Sequence, residues 1–405
     1  MLGAFFYPII YYPDYMFFEL DPDDVGFPDP SLSEPDGLLA MGGDLSFERL
    51  VNAYALGIFP WYNPGEPILW WSLNPRMVLS LPDFRCSKSL RRTLNSSRFE
   101  VRVDTCFEEV IRHCANIFRE GQDGTWITSE MQEAFIMLHQ QGLAHSFETF
   151  LDGKLVGGLY GVSLGDFFSG ESMFHHVTDA SKVAFSRLVD FCALHHFRFV
   201  DAQQPTDHLA SLGAQPTDRK IFLESLSQAP WENTLRGRWK NNTVVLLIGG
   251  NQGDRMNLIL RSLSLIAQRI GSIAQISTIY ETEPWGFESD RNFLNQALVV
   301  DTDLTAHEVL REALAIEKEL GRERPADKKG YSSRPMDIDL IFFNSAIVDT
   351  PDLTLPHPRM HLRRFVLEPL VEIIPDYIHP RKRKTIRQLH QDCPDHSAIW
   401  QFPKE

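Results

Sequence analysis

Asp337 and Asp339 stand two residues apart in the otherwise apolar run MDIDLIFF, residues 336–343. A strand repeats every two residues, so both carboxylates project to one face and Ile338 and Leu340 to the other. Paired like charges at the mouth of an apolar strand repel and resist desolvation unless a cation or donors compensate. A hard divalent cation does so, and Mg²⁺ accompanied by phosphates is the usual guest of such a sparse carboxylate set. Arg334 just upstream suits a phosphate. Arg322 and Arg324 precede the pair, and His357, Arg359 and Arg363 follow it. Five arginines near two carboxylates are what a magnesium-bound polyphosphate requires. The pair taken alone could equally cap turns at a strand end, and each arginine alone could be a solvated surface charge.

The first half carries different groups. Trp61, Trp70, Trp71 and Trp126 crowd near turns, and Glu171, Asp201 and Gln203 sit in the short runs GESMF and DAQ. Tryptophan exposed at a turn can stack on a nucleobase, whereas at least two of these four read better as core. Lys88, Arg91, Arg92, Arg98 and Arg102 form a basic run in an acidic context. It could hold RNA phosphates or be a solvated helix face.

These groups need elements to position them. Ser129-x-x-Gln132 reads as a capping box opening a helix with Met131, Ala134, Phe135 and Leu138 on one stripe, closed by Gly142. Residues 146–151 and 155–162 flank an Asp152-Gly153 turn and read as a hairpin. A strand over 167–174 and a helix over 180–195 follow. Residues 227–242 lose periodicity and carry Pro, Gly and Asn, which places a linker there. The pattern then restarts with a strand over 244–248 entering Gly249-Gly250-Asn251-Gln252-Gly253-Asp254 and a helix. Strands are predicted over 276–282, 293–300 and 337–343. A helix capped by Thr305-x-x-Glu308 carries Val309, Ala313, Ile316 and Leu320 on one face. Residues 19–36 are acidic, proline-rich and read as irregular.

A chain of 405 residues suggests two or three domains, and 43% hydrophobic content supplies two cores. The net charge of −15 divides unevenly, −12 over residues 1–240 and −3 over the rest. That argues against a general nucleic-acid coat but allows a local patch to grip one part of an RNA. Five cysteines without a C-x-x-C pair suggest neither a disulfide framework nor a zinc site and fit a reducing cytoplasm. The aromatic start lacks a basic n-region and is a poor signal peptide. No apolar run is long enough for a membrane span.

GGNQGD (249–254), YETEPWGF (280–287), FLN (293–295), GRER (321–324), RPMDIDL (334–340) and LPHPR with RRFVLEPL (355–370) occur in order. Together they resemble 6-hydroxymethyl-7,8-dihydropterin pyrophosphokinase. The resemblance implies a ferredoxin-like domain that moves pyrophosphate from ATP to the pterin hydroxymethyl group, releases AMP and serves folate biosynthesis. It implies two Mg²⁺ on Asp337 and Asp339, and ATP contacts from Glu317, Arg322, Arg334, His357 and Arg363, with Arg322 and Arg334 catalytic. Thr282, Trp285, Phe293, Asn295 and Phe365 would hold the pterin. Stacking between phenylalanines suits a planar heterocycle, and an amide offers both donor and acceptor. The loop between Arg322 and Arg334 is longer than in the common form and carries Tyr331 where a tryptophan can occur.

LLAMGGDLSFERL, AYALGIFPWY, ILWWSLNPR, AHSFETF, LVGGLYGVSLG, FFSGESMF, ASKVAF and HLASLGA, over roughly residues 27–225, resemble leucyl/phenylalanyl-tRNA–protein transferase. That family moves Leu or Phe from its tRNA to an acceptor protein with N-terminal Arg or Lys, marking it for degradation. Its fold is acyl-CoA N-acyltransferase-like with a small N-terminal subdomain. An aminoacyl ester is already activated, so the site must orient an amine, stabilise an oxyanion and pass protons. The resemblance makes Asp201, Gln203 and Glu171 catalytic, with Asp201 holding or deprotonating the amine. Trp61 and Trp126 would hold the terminal adenosine of the aminoacyl-tRNA. Leu159, Phe168, Met173 and Phe185 would line the slot for its side chain. Departures are Ala202, where Cys is frequent, and Lys88, where Arg is common.

The whole reads as an α/β (α+β) fusion of two cytoplasmic enzymes. Its expected parts are an extension (1–26), a transferase domain (27–226), a linker (227–242) and a pyrophosphokinase domain (243–405). The competing reading keeps one half as a non-catalytic RNA-end or pterin/nucleotide binding module.

Overall fold

The computed structural model describes residues 9–12, 15–96, 98–117, 125–286, 289–322 and 333–402. Two compact units emerge: Met1–Cys192 with Phe197–Trp239, and Ala193–His196 with Lys240–Glu405.

The first unit holds two sheets. The smaller has the order Ile9–Tyr12, Tyr15–Leu20, Leu38–Gly42, Leu69–Trp71, Phe59–Pro60. Residues expected as an extension therefore belong to a sheet, because Tyr15–Leu20 pairs in parallel with Leu38–Gly42 and satisfies its open edge. The stretch expected to be irregular also carries a 3₁₀ turn, Pro30–Leu32, capped by the Asp29 side chain. Arg49, fully buried, ties this region together by donating to Asp44 and to the Asp21 and Pro22 carbonyls.

The larger sheet runs Gln215–Thr217, Arg76–Ser80, Phe199–Gln203, Phe167–His175, Lys154–Leu164, Ala144–Leu151, Glu100–Val103. Its one parallel pair joins Phe167–His175 to Phe199–Gln203, and both of these strands bulge, at Gly170/Ser172 and at Asp201/Gln203. Bulges re-aim side chains and interrupt pairing. Here they act at one level of the sheet, since Ser169 is opposite Asp201. The predicted hairpin forms with Asp152 and Gly153 at positive φ. The helix predicted from Ser129 spans Ser129–Gln140, but its cap is Thr128, whose hydroxyl accepts from Met131 N–H. Residues 227–242, expected as a linker, lie against this unit at Trp239, which is buried and stacks on His145 at 3.7 Å between ring centroids.

The second unit is the β-α-β-β-α-β arrangement of a ferredoxin-like fold. Asp337–Phe343, Asn242–Gly250, Phe293–Thr302 and Tyr280–Thr282 are neighbours in that order, and Ile399–Gln401 adds an edge strand. Predicted strand 276–282 divides into Ser272–Ile276 and Tyr280–Thr282; between them Ser277 N–H still donates to the Ala297 carbonyl, but Ala297 N–H goes to the Ser277 hydroxyl oxygen instead of a backbone carbonyl. Strand alternation sorts the core. Val244, Leu246, Ile248, Ile338 and Leu340 face the layer with Ile259, Val309 and Ile316 from the two long helices. Val245, Leu247, Ile341 and Phe342 face Val366, Leu367 and Leu370 of the helix Arg364–Ile373. Both sheet faces are covered, which explains the continuous apolar run at 244–248. The Thr305–Glu308 capping box forms as predicted.

Candidate active sites

In the second unit Asp337 pairs in register with Gly249 and Asp339 with Leu247, so both carboxylates share one end of one sheet face. Together with Thr282, Glu283, Trp285, Phe293, Asn295, Arg334, Arg363 and Phe365 they line a cleft. Asp337 is clamped between Arg322 and Arg334 and bonds to Arg334 Nη2 at 2.6 Å. Against the upward push of burial, Arg334 and Arg322 hold its carboxyl below the ordinary range. Burial and the Asp337 charge push Asp339 the opposite way, well above that range. The pair is therefore undercompensated at Asp339, which suits a cation. Two carboxylates are too few to hold Mg²⁺ alone, and no third side-chain ligand joins them among the described residues. Phosphate oxygens and water would complete such a shell.

The aromatic groups converge as expected. Arg334 lies over the Phe293 ring at 5.5 Å, and Arg363 lies over Trp285 at 4.8 Å and Phe365 at 5.6 Å. Asn295 donates to Thr282 Oγ1 at 2.9 Å. A Cβ on Gly249 would sit 2.5 Å from Asn295 Oδ1, so glycine there lets the amide lie against the strand. One on Gly250 would collide with the Pro335 carbonyl oxygen beside Arg334.

Other expected ATP ligands lie off the cleft. Glu317 is 2% exposed, and its Oε1 accepts from Arg322 Nη1 at 2.7 Å and Ile338 N–H at 2.9 Å. It braces Arg322 and the strand. His357 also lies outside the cleft lining. Burial, then Arg363 and Arg359, hold its pKa down at about 4, so it is a neutral imidazole near neutral pH. Arg324, Tyr331 and the long loop fall outside the described residues. Sequence reading gave no role to Asn251. Its buried amide donates to Ser289, the Arg291 carbonyl and Ser333, and its oxygen accepts from Arg334 N–H at 3.0 Å. Asparagine in the turn after a strand was the available signal.

In the first unit a cavity of about 280 Å³ has Trp61, Trp126, Leu159, Met173, Phe185, Glu171 and Gln203 in its wall. Tyr160, Leu188, Val200 and His208 also contribute. Trp61 and Trp71 are tilted neighbours, with Trp71 Nε1 donating to the Trp61 carbonyl, whereas Trp70 is wholly buried core. Glu171 is the bulge residue itself. Its Oε1 accepts from Gln203 Nε2 at 2.7 Å. Burial pushes its carboxyl up to about 7, with Tyr54 and Gln203 opposing, Asp201 adding and Arg76 opposing. Burial and the Glu171 charge in turn push the Tyr54 hydroxyl well above its ordinary range.

Two expectations change here. Asp201 is 1% exposed and absent from the cavity wall. Arg76 chelates it at 2.8 and 2.7 Å, and Ser169 and Gln203 N–H complete its bonds. Its carboxylate is engaged by these donors in this arrangement. Phe168 is core rather than slot, covered by Phe147 and by Trp239, whose ring centroids lie 6.5 and 6.2 Å away. Of the basic run, Lys88, Arg91 and Arg92 share the helix Lys88–Asn95, Arg98 stacks on Phe99, and Arg102 pairs with Glu100. Arg76 and Tyr54 were missed, since only folding brings them to the bulges.

Known families match both units. A leucyl/phenylalanyl-tRNA protein transferase family model matches residues 78–227, and the model of its N-terminal domain matches 43–74. The transferase of Desulfatibacillum aliphaticivorans is 56% identical over 213 residues, covering 53% of this chain and 91% of that protein. That of Maridesulfovibrio salexigens is 53% identical over 219 residues, covering 54% and 91%. The chain belongs to the leucyl/phenylalanyl-tRNA–protein transferase family. The family model for 7,8-dihydro-6-hydroxymethylpterin-pyrophosphokinase matches residues 245–375, so this transferase also carries a pyrophosphokinase domain and is a bifunctional enzyme. A solved Plasmodium falciparum HPPK-DHPS with pteroate aligns at 18% identity and a TM-score of 0.31, over 37% of this chain and 44% of that one. The chain thus spans less than half the length of that protein.

Proposed function

We propose that the two activities use the two sites above. In the transferase site Trp61 and Trp126 hold the terminal adenosine of Leu- or Phe-tRNA. Leu159, Met173 and Phe185, with Leu188 and Val200, take the aminoacyl side chain. The N-terminal amine of the acceptor, on an Arg or Lys residue, attacks the ester carbon, the C–N bond forms and the bond to the tRNA ribose oxygen breaks. Glu171, poised near neutrality at the cavity wall, takes the amine proton, and Gln203 holds Glu171 in place. A carboxyl tuned to the working pH is the efficient choice for that task. The observation that carries this reading is the convergence of two indoles, an apolar wall and one carboxylate on a single cavity.

In the second site Phe293 and Phe365 hold the pterin ring, with Trp285 beside them, and Asn295 and Thr282 read its polar edge. Arg334 and Arg363 neutralise ATP phosphate charge, and Arg322, braced by Glu317, supports Asp337. Asp337 and Asp339 would hold Mg²⁺, proposed as two ions. Bound there, Mg²⁺ supplies charge neutralisation at the transferring group. The pterin hydroxyl attacks the β-phosphorus, and the bond to the α-phosphate breaks to release AMP. The proposed domains follow the two compact units, with the strand Tyr15–Leu20 and Trp239 in the transferase, in a cytoplasmic protein. Among the described residues no helix is long and apolar enough to cross a membrane.

The test is a pair of assays on the intact chain: labelled Phe transfer from tRNA to an Arg-initiated peptide, and AMP release on adding the pterin with Mg²⁺ and ATP. Both reactions proceeding supports the proposal. A chain that binds pterin and ATP without releasing AMP, or binds tRNA without transfer, is a binding module at that site.

A further inference from the structure

We propose that Arg76 is a positioning residue for aminoacyl transfer: it locks Asp201, and through Asp201 it fixes the bulge that aims Gln203 at Glu171. This inference rests on the transferase reading above and assigns the machinery behind the cavity wall.

Arg76 and Asp201 are each 1% exposed and 125 residues apart in sequence. Asp201 Oδ1 accepts from Arg76 Nε at 2.8 Å and Gln203 N–H at 3.0 Å. Oδ2 accepts from Arg76 Nη2 at 2.7 Å and Ser169 Oγ at 3.0 Å. The guanidinium also lies over the Phe59 and Phe222 rings, at 4.7 and 4.9 Å, and Phe59 is itself part of the cavity wall. Two-point chelation with stacking leaves the arginine a single orientation.

That orientation has a consequence two residues on. Gln203 has a φ of 58°, in the left-handed region that residues with a Cβ adopt only when something holds them there. The holding contact is the bond from its own N–H to Asp201 Oδ1. The carboxamide then reaches Glu171 Oε1 at 2.7 Å. The order of dependence is Arg76, Asp201, Gln203, Glu171. Without the guanidinium, Asp201 would be a buried charge lacking its partner. It would turn away, and the Gln203 backbone would lose a fixed acceptor. An ion pair this dry is not needed for stability alone, since apolar pairs of the same volume often serve as well.

Arg76→Lys keeps the charge and removes the two-point geometry. In the full chain the expected result is a kcat for peptide transfer lower by roughly 100-fold, the scale of a small misplacement at a reacting centre. The KM for phenylalanyl-tRNA stays within about twofold, and AMP release by the same preparation is unchanged. A kcat within about twofold of wild type, or a loss confined to KM, overturns the inference. If Arg76→Lys does not fold, the double variant Arg76→Met with Asp201→Asn removes both buried charges together. Its kcat stays roughly 100-fold down if the pair positions Gln203. Wild-type kcat in the folded double variant shows that the pair only stabilises and overturns the inference. Absence of transfer by the wild-type chain defeats the transferase reading itself, a separate outcome.

Discussion

Replacing Glu171 with Gln isolates the proton that this cavity holds. Glu171 is 8% exposed and its carboxyl is pushed from an ordinary 4.5 up to about 7, first by burial. A folded-state pKa above the unfolded value means that the native state binds the proton more tightly. The associated stability is intact below pH 4.5 and is lost as the pH rises through about 7. At about 1.4 kcal/mol per pH unit, the displacement corresponds to about 3 kcal/mol. Gln resembles the protonated acid in shape and charge and does not titrate. Glu171→Gln should therefore match wild type at pH 4.5 and be more stable by up to about 3 kcal/mol at pH 8.5. Urea unfolding at the two pH values measures the difference. Glu148, another buried carboxyl raised to about 7, titrates alike in both proteins and cancels. The same substitution should reduce transfer and remove the rise of kcat near pH 7. An equal stability difference at both pH values would refute the argument, because Glu171 would then ionise alike in the folded and unfolded chain.

Three further outcomes follow from the geometry. Gly250→Ala places a methyl group against the Pro335 carbonyl and should destabilise the second unit by about 1–3 kcal/mol, while AMP release falls and peptide transfer persists. Trp126→Ala should raise the KM for aminoacyl-tRNA roughly tenfold, the scale of one lost base stack, with AMP release unaltered. Asn251→Ala strips Arg334 N–H and Ser333 of a buried partner. It should cost about 1–3 kcal/mol, read by thermal unfolding, and lower the kcat of AMP release.

What could be read along the chain was whatever depends on short spacing. The parity of Asp337 and Asp339, the Thr305–Glu308 box and the apolar run at 244–248 are local, and the folded chain keeps them. That several residues would line one cleft of the second unit was legible for the same reason, since they sit at recognisable motifs. The transferase site was legible less fully. Its decisive geometry comes from two bulges on neighbouring strands, and no local pattern announces a bulge. Asp201 read as a base because nothing near it in sequence shows that Arg76, far upstream, would saturate it. Phe168 read as slot because the segment carrying Trp239, aperiodic by composition, gave no sign that it covers this ring. Glu317 drew an ATP role from its place in a motif, whereas its inward turn beneath Arg322 is a tertiary fact.

The central claim is that one chain houses two chemically separate sites, and crossing two variants tests it most directly. Gln203→Ala and Asp339→Asn are each assayed for labelled Phe transfer and for pterin-dependent AMP release. The account predicts that Gln203→Ala abolishes transfer alone and Asp339→Asn abolishes AMP release alone. Loss of both reactions in either variant while the chain remains folded, or no AMP from the wild-type chain with Mg²⁺, ATP and the pterin, would contradict it.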